Sequence, residues 1–371
     1  MYIKAFSHQG VRNLAPGKLF LSKGLNIFYG DNGAGKSSIL EAISFLTTGR
    51  SFRTSKLEHI ITERGEELVV FGLSADEKRI GVAFQKMNKT RMIKINGKKL
   101  NRLSDLTCLY PTQILSPESY HLIDSGPSER RKYLDWCLFH VKHSYHSAWK
   151  NYTNILKQRN ALLRQGDRLS VNEQLNIWDK QLCDAALIVN TERKSILVKL
   201  EESLKITMSD LAVNFCDTLS LSYYPGFTDN LEDKLRMSLK SDFESGNTKF
   251  GPHKADLRIK VDGYLAKDYL SRGQKKILIN ALFLSQTLLL KQITHKESLF
   301  LIDDFTSELD ISNQKALLDM LLAQENVQIV LSCLQQDSLK WFNKGYNSAH
   351  MFHVEHGTIT SITDTETHRT N

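Results

Sequence analysis

The chain has 371 residues, 41% of them hydrophobic and 24% charged, with a formal net charge of +8: the balance of a globular protein with two or three domains, or one large domain with an insertion, and a charge that fits a polyanionic partner but is also common in proteins without one. Its five cysteines, Cys108, Cys137, Cys183, Cys216 and Cys333, are scattered without a C-x-x-C pair, which excludes a disulfide framework or a thiolate zinc site and fits reduced thiols. The opening Met1-Tyr-Ile-Lys-Ala-Phe6 lacks the apolar core of a signal peptide, and the most apolar stretch, 277–290, is broken by Asn280, Ser285 and Gln286. That stretch predicts a buried helix too short to span a bilayer, and a cytoplasmic location is expected.

In chain order, residues 1–8 and 24–29 predict strands about a turn at Pro16-Gly17. Gly30, Asp31, Asn32, Gly33, Ala34, Gly35, Lys36 and Ser37 then satisfy G-x-x-x-x-G-K-[ST] at every fixed position. Residues 38–46 follow with apolar side chains at helical spacing. This strand–loop–helix context is what a phosphate loop requires: glycines let backbone N–H groups wrap an anion, Lys36 reaches the β- and γ-phosphates, and the Ser37 hydroxyl goes to Mg²⁺. A nucleoside triphosphate with Mg²⁺ is therefore the expected ligand.

Gly49-Arg-Ser-Phe-Arg53 is a polar basic link. Residues 68–73, 80–84 and 92–98 alternate as strands, with a hairpin signal at Asn96-Gly97. Between Lys86 and Arg102 there are seven Lys or Arg and no acid. Such a run is commonly a solvated face, but beside a nucleotide engine that must act on something it makes Lys89, Arg91, Lys94, Lys98 and Lys99, with Arg53, the candidate contacts to a polyanionic partner. Gly126-Pro-Ser-Glu-Arg-Arg-Lys-Tyr-Leu-Asp135 predicts a helix whose basic first turn opposes the helix dipole, so Arg130 and Arg131 call for acidic or phosphate partners.

Residues 136–245 are helical in pattern. One face carries Tyr145, Trp149, Tyr152, Leu156 and Leu163; a capping box at Ser170–Glu173 starts a second stripe of Leu175, Trp178, Leu182, Ala185 and Val189. The pattern is too interrupted for a long coiled-coil arm. His140, His143 and His146 predict a solvated helix face, since no further ligand completes a metal site. Strands follow at 218–224 and 256–261, then Leu270-Ser-Arg-Gly-Gln274 opening the apolar helix. Ser298-Leu-Phe-Leu-Ile-Asp-Asp304 is a buried strand ending in two carboxylates, followed by Ser307-Glu-Leu-Asp310. A strand at 327–332 and a hairpin about His356-Gly357 end the ordered pattern, and 361–371 predicts a disordered tail.

The segments far apart in sequence make sense together. Asp303 at a strand end suits Mg²⁺ held through water, and Asp304 suits polarisation of an attacking water. Leu270-Ser-Arg-Gly-Gln274 resembles the signature of ABC-type ATPases, in which Ser271, Gly273 and Gln274 cover the nucleotide of a partner subunit. Ser116-Pro-Glu118 with the 126–135 block, Gly251-Pro-His-Lys-Ala-Asp-Leu257, and Leu301-Ile-Asp-Asp-Phe-Thr-Ser-Glu-Leu-Asp310 resemble the RecF family of DNA repair proteins across essentially the whole chain.

That resemblance implies an α/β fold: an ABC-type P-loop ATPase head, with a mixed sheet lobe and an antiparallel β lobe, and a short helical arm inserted. The division is 1–135 for the first part of the head, 136–245 for the arm and 246–360 for the second part. It further implies an ATP-gated homodimer on single-stranded, duplex or junction DNA. With RecO and RecR it would help load RecA, in recombinational repair, replication restart and the SOS response. Asp304 stands where most ABC ATPases have glutamate, and Ser332 or Cys333 where many have a switch histidine, so a weak ATPase acting as a timed switch is expected. Gln113 is the candidate for the glutamine that senses Mg²⁺ and γ-phosphate. The alternatives are an ABC transporter subunit, against which the 110-residue insertion and the basic run argue, and a structural DNA clamp that never hydrolyses ATP.

Overall fold

Leu25–Tyr29, Ser298–Ile302 and Val327–Cys333 are buried at every position, as continuous apolar runs are when both faces of a parallel sheet are covered. The computed structural model describes residues 2–165, 168–211, 213–308, 310–324, 327–334 and 349–362. They fall into two compact units, Met1–Ser119 with Thr294–Asn371, and Tyr120–Ile293.

In the first unit a six-stranded sheet runs in the order Thr358–Ile362, His350–Glu355, Leu25–Tyr29, Val327–Cys333, Ser298–Ile302, Thr112–Leu115. All neighbours are parallel except the first pair. Gly30, Asp303 and Ser116 each follow a strand, and Ser332 is the next-to-last residue of another, so all four meet at the carboxyl end of the sheet, where open α/β sheets bind ligands. Thr112–Leu115 is a further strand; four residues carry too short a pattern to announce it, and pairing with Ser298–Ile302 makes it.

The second sheet of this unit is antiparallel: Gly17–Phe20, Ile3–Gln9, Glu67–Ser74, Arg79–Gln85, Thr90–Ile95, Lys98–Leu100. The hairpin at Asn96-Gly97 has φ of 49° and 80°, the left-handed pair that a two-residue type I′ turn demands. Between the sheets lies the helix Lys36–Thr48, buried at nearly every position. A Cβ on Gly72 would stand 2.4 Å from Leu46 Cδ2, so glycine lets helix and sheet approach closely. Of the tail expected from 361, Ser361 and Ile362 belong to the last strand; residues 363–371 lie outside the described residues.

The second unit holds the helices Pro127–Val141, His143–Arg164, Arg168–Asp210 and Leu231–Ser245, with a three-stranded sheet of Tyr264–Leu265, Asp256–Val261 and Leu219–Tyr224. The helical segment 136–245 of the sequence reading lies inside it. The helix Arg168–Asp210 has 43 residues, roughly 65 Å at 1.5 Å per residue, longer than its interrupted stripe suggests. It already runs at Ser170, so the expected capping box is not its start. His140, His143 and His146 do not form one solvated face either. Lys142, in extended backbone, separates two helices, and His140 is buried against Trp136 and Phe139.

Arg130 meets the expected acid, with Nε 2.7 Å and Nη2 3.2 Å from the two oxygens of Asp256. Arg131 donates to the Ala255 carbonyl at 2.7 Å. The interior is held by two fully buried arginines. Arg159 donates to Asp179 at 2.5 Å, Asp242 at 2.7 Å and Thr248 at 2.9 Å. Arg193 donates to both oxygens of Asp135 at 2.8 Å and to the Pro252 carbonyl at 2.8 Å. Nearby, the His253 ring lies between the Tyr152 hydroxyl (2.6 Å) and the Thr248 carbonyl (2.9 Å).

The apolar helix is Arg272–Thr294. Among the described residues it is the helix that by length and composition alone is apolar enough to cross a membrane, but 61% of its apolar window is buried in the protein. Two of its polar interruptions donate inside: Gln286 Nε2 to the Tyr133 carbonyl at 2.7 Å, and Asn280 Nδ2 to the Lys276 carbonyl at 2.8 Å.

Candidate nucleotide site

Three glycines shape the loop between Leu25–Tyr29 and Lys36–Thr48. Gly30 has φ of 154°, and a Cβ there would fall 2.1 Å from the Val354 carbonyl oxygen. Gly35 has φ of 118°, and its Cβ would meet Leu14 Cδ2 at 2.7 Å. Only glycine takes such backbone at little cost. The loop is braced from outside: Asn13 Nδ2 donates to the Gly33 carbonyl at 3.0 Å, Ser38 Oγ donates to Asn13 Oδ1 at 3.1 Å, and the Gly357 N–H donates to the Ala34 carbonyl at 2.8 Å.

Lys36 opens the helix and its ammonium turns back to the carbonyls of Gly30 at 2.7 Å and Asp31 at 2.8 Å. Burial lowers its pKa below the ordinary lysine value, against the pull of Asp304 and Asp303. Ser37 Oγ donates to Asp303 Oδ1 at 2.8 Å, and Ser332 Oγ donates to the same oxygen at 2.7 Å. Ser332 Oγ also accepts the Asp304 N–H at 2.8 Å. Burial raises the Asp303 pKa, while the Ser332 and Ser37 hydroxyls and the Arg53 charge hold it down. Asp304 sits at φ of 58°, a left-handed backbone that non-glycine residues rarely adopt and that clusters at functional sites.

These groups surround a cavity of about 420 Å³, to which Asn13, Asn32, Arg53 and Glu118 also contribute. The sequence reading places Arg53 among the DNA contacts; the structure places it here. The Ser51 hydroxyl reaches the buried Glu41, which also pairs with Arg12 Nε at 2.5 Å. Ser51 Oγ in turn accepts the N–H groups of Arg53 and Thr54 at 3.0 Å each, so the link folds back over the helix. Gln113 does not line the cavity: it is buried within its strand, opposite Phe300 in register. Asn13 and Glu118 were missed by motif spacing; Glu118 could have been found from its place in the Ser116-Pro-Glu118 block.

The donor set fits Mg²⁺. Among the described residues no group of three or more His, Cys, Asp or Glu is placed to hold a metal alone. Mg²⁺ instead takes one or two carboxylates together with substrate phosphates, and Ser37 with Asp303 supplies such a half-site next to a cradle for those phosphates.

In the other unit, Ser271, Gly273 and Gln274 are exposed at the head of Arg272–Thr294. The Ser271 N–H donates to Gln274 Oε1 at 2.9 Å and the Gln274 N–H to Ser271 Oγ at 3.3 Å, a reciprocal capping box. The side chains of Ser307 to Leu309 lie outside the described residues; Asp310 caps Ile311–Leu322 through the Asn313 N–H at 2.9 Å.

Of the basic run, Lys94 and Lys99 are exposed and directly opposite in register, a like-charge pair that is unfavourable without an anion. Lys98 is exposed beside them. Lys89 pairs with Glu58 at 2.9 Å. Arg91 is half-buried, and burial, then the charge of Arg50, lowers its pKa.

The family model described as RecF/RecN/SMC N terminal domain matches residues 2–360. The DNA replication and repair protein RecF of Hahella chejuensis is 36% identical over 378 residues, covering 98% of this chain and 100% of the relative. That of Shewanella woodyi is 39% identical, covering 95% of each. A solved structure of the recombination mediator protein RecF with ATP, in the RecFOR pathway, superposes with a TM-score of 0.85 at 30% identity over 98% of both chains. An Smc head bound to the C-winged helix domain of ScpA matches at a TM-score of 0.58 and 14% identity, a likeness of fold.

Proposed function

The chain belongs to the RecF/RecN/SMC N-terminal domain family and, within it, to the RecF proteins of DNA replication and repair, and on that premise we propose that it is an ATP-gated DNA-binding homodimer with a weak ATPase. One observation carries this reading: Lys36, Ser37, Asp303, Asp304 and Ser332 converge on one glycine-built cavity. Lys36 and the loop N–H groups bind the phosphates. Ser37 and Asp303 would hold Mg²⁺, whose charge offsets that of the phosphates. Asp304, its backbone held by Ser332, orients the attacking water.

Asp304 is one methylene shorter than glutamate, and a serine stands where other ATPases have histidine. Both support slow turnover, so that bound ATP acts as a clamp with a timed release. Ser271 and Gly273 stand exposed at a helix N-terminus, a second anion cradle for one nucleotide per chain, which supports a head-to-head dimer in which each cradle covers the other copy's γ-phosphate. Lys94, Lys98 and Lys99 are the DNA-phosphate contacts, with Lys89 and Arg91 secondary; Arg53 belongs to the nucleotide. The kinship supports, as part of this reading, RecO and RecR as partners, RecA loading, a part in the SOS response and a cytoplasmic location.

The experiment is sedimentation with ATP and with ADP. ATP alone should favour the dimer, because the γ-phosphate contacts exist only with it. Ser271→Arg should block dimerisation while sparing ATP binding. Mixed with Lys36→Met, it should give partial recovery, since the heterodimer keeps one intact site. A Ser271→Arg protein that dimerises normally with ATP refutes the composite site.

A further inference from the structure

Strand Thr112–Leu115 ends beside the strand that carries the two aspartates. Leu115 lies opposite Ile302, and the Asp303 N–H donates to the Leu115 carbonyl at 2.8 Å. The chain leaving this strand therefore starts at the level of Asp303 and turns at once. Ser119 Oγ accepts the Ser116 N–H at 3.0 Å, and the Ser119 N–H donates to the Ser116 carbonyl at 2.8 Å. Pro117 fixes its own φ within the turn. Ser116 Oγ donates to Glu118 Oε2 at 2.8 Å and sets the carboxylate's direction. A turn held this way presents its side chain with little entropy left to lose.

Glu118 lines the nucleotide cavity together with Lys36, Arg53, Asp303 and Asp304. Three carboxylates thus face two cations there, a balance that favours a further cation alongside the phosphates. Asp303 Oδ1 already accepts from both Ser37 and Ser332, which limits what that one carboxylate offers. Mg²⁺ binds hard oxygen, dehydrates reluctantly and is characteristically held through its own waters by one or two carboxylates.

We propose that Glu118 is the second carboxylate of the cation site, accepting hydrogen bonds from the hydration shell of the Mg²⁺ that accompanies the nucleotide. This rests on the ATP reading above. It transfers to Glu118 the sensing position sought at Gln113, and it makes the group there an anion, so that it attracts the cation by charge as well as by hydrogen bonding.

The test is an equilibrium titration of a fluorescent ATP analogue at rising Mg²⁺ and in EDTA, with electron paramagnetic resonance of Mn²⁺ in place of Mg²⁺. Glu118→Gln keeps an oxygen for Ser116 and removes only the charge. It should raise the Mg²⁺ needed for half-maximal binding about tenfold, weaken Mn²⁺ binding to the nucleotide complex in parallel, and leave affinity in EDTA unchanged. Glu118→Asp should recover part of the shift. An unchanged Mg²⁺ midpoint in Glu118→Gln overturns the proposal; so does an equal loss with and without metal, which would assign Glu118 to the turn alone. Lys36→Ala is run beside it. Normal binding by that variant would overturn the phosphate-loop reading itself, an outcome distinct from any result at Glu118.

Discussion

The cavity around Lys36 and the interior around Arg159 and Arg193 both hold charge away from bulk water, and they treat it in opposite ways. In the helical unit each arginine is enclosed with its own carboxylates: Asp135 takes Arg193 in a two-pronged pair, and Asp179 and Asp242 flank Arg159. In the cavity the lysine is turned onto backbone carbonyls and the aspartate onto hydroxyls. Serines and carbonyls separate charges that could otherwise pair. Paired charge fixes a shape, and unpaired charge next to a cradle is available to a ligand.

The largest effect should come from opening a closed pair. Asp135→Ala leaves the Arg193 guanidinium buried without its carboxylate and should cost about 3–5 kcal/mol of stability, read by urea unfolding. Replacing both with apolar residues of similar volume should recover most of it. A loss below 1 kcal/mol would show that the interior tolerates an open charge as the cavity does.

Acid should open the same region more gently. His253 is neutral between its two partners, and burial lowers its pKa from 6.5 to about 4. The unfolded chain then binds the proton more readily than the folded one, so stability is full above 6.5 and is lost as pH falls from 6.5 towards 4, by on the order of 3 kcal/mol at most. Burial lowers His8, in the first unit, to about 4 as well. His253→Gln should therefore remove about half of the slope of stability against pH in that window. A slope that survives undiminished would mean the ring is protonated in the fold.

Lys36→Ala sharpens the contrast at the cavity. ATP affinity should fall by about a hundredfold or more, near 3 kcal/mol, while unfolding midpoints stay level or rise, because a partly desolvated ammonium leaves the fold. Stability lost in step with affinity would place Lys36 with the structural charges.

The phosphate loop, the Asp303-Asp304 strand end and the acid opposite Arg130 were all legible, because each follows from local rules of spacing or dipole. Arg159 and Arg193 were not, since a polar residue interrupts an apolar stripe whether it faces solvent or a buried carboxylate. His140 was misread for the same reason: spacing alone cannot reveal that Lys142 ends one helix before His143 starts the next. Glu118 and Gln113 show a further limit. Which of them reaches the cavity depends on where Thr112–Leu115 stops against Ser298–Ile302, a register set by residues about 190 positions away. Arg53 needed the Ser51–Glu41 contact, which no motif announces.

The order of strands has a consequence in time. Leu25–Tyr29, which delivers the phosphate loop, lies between Val327–Cys333 and His350–Glu355, and the turn after the latter hydrogen-bonds to Ala34. A ribosome making this chain at about 5–20 residues per second emits the loop roughly fifteen seconds to a minute before it makes the strands that flank it. The nascent chain therefore carries the complete phosphate-binding sequence long before it carries the strands and the turn that hold the loop in place.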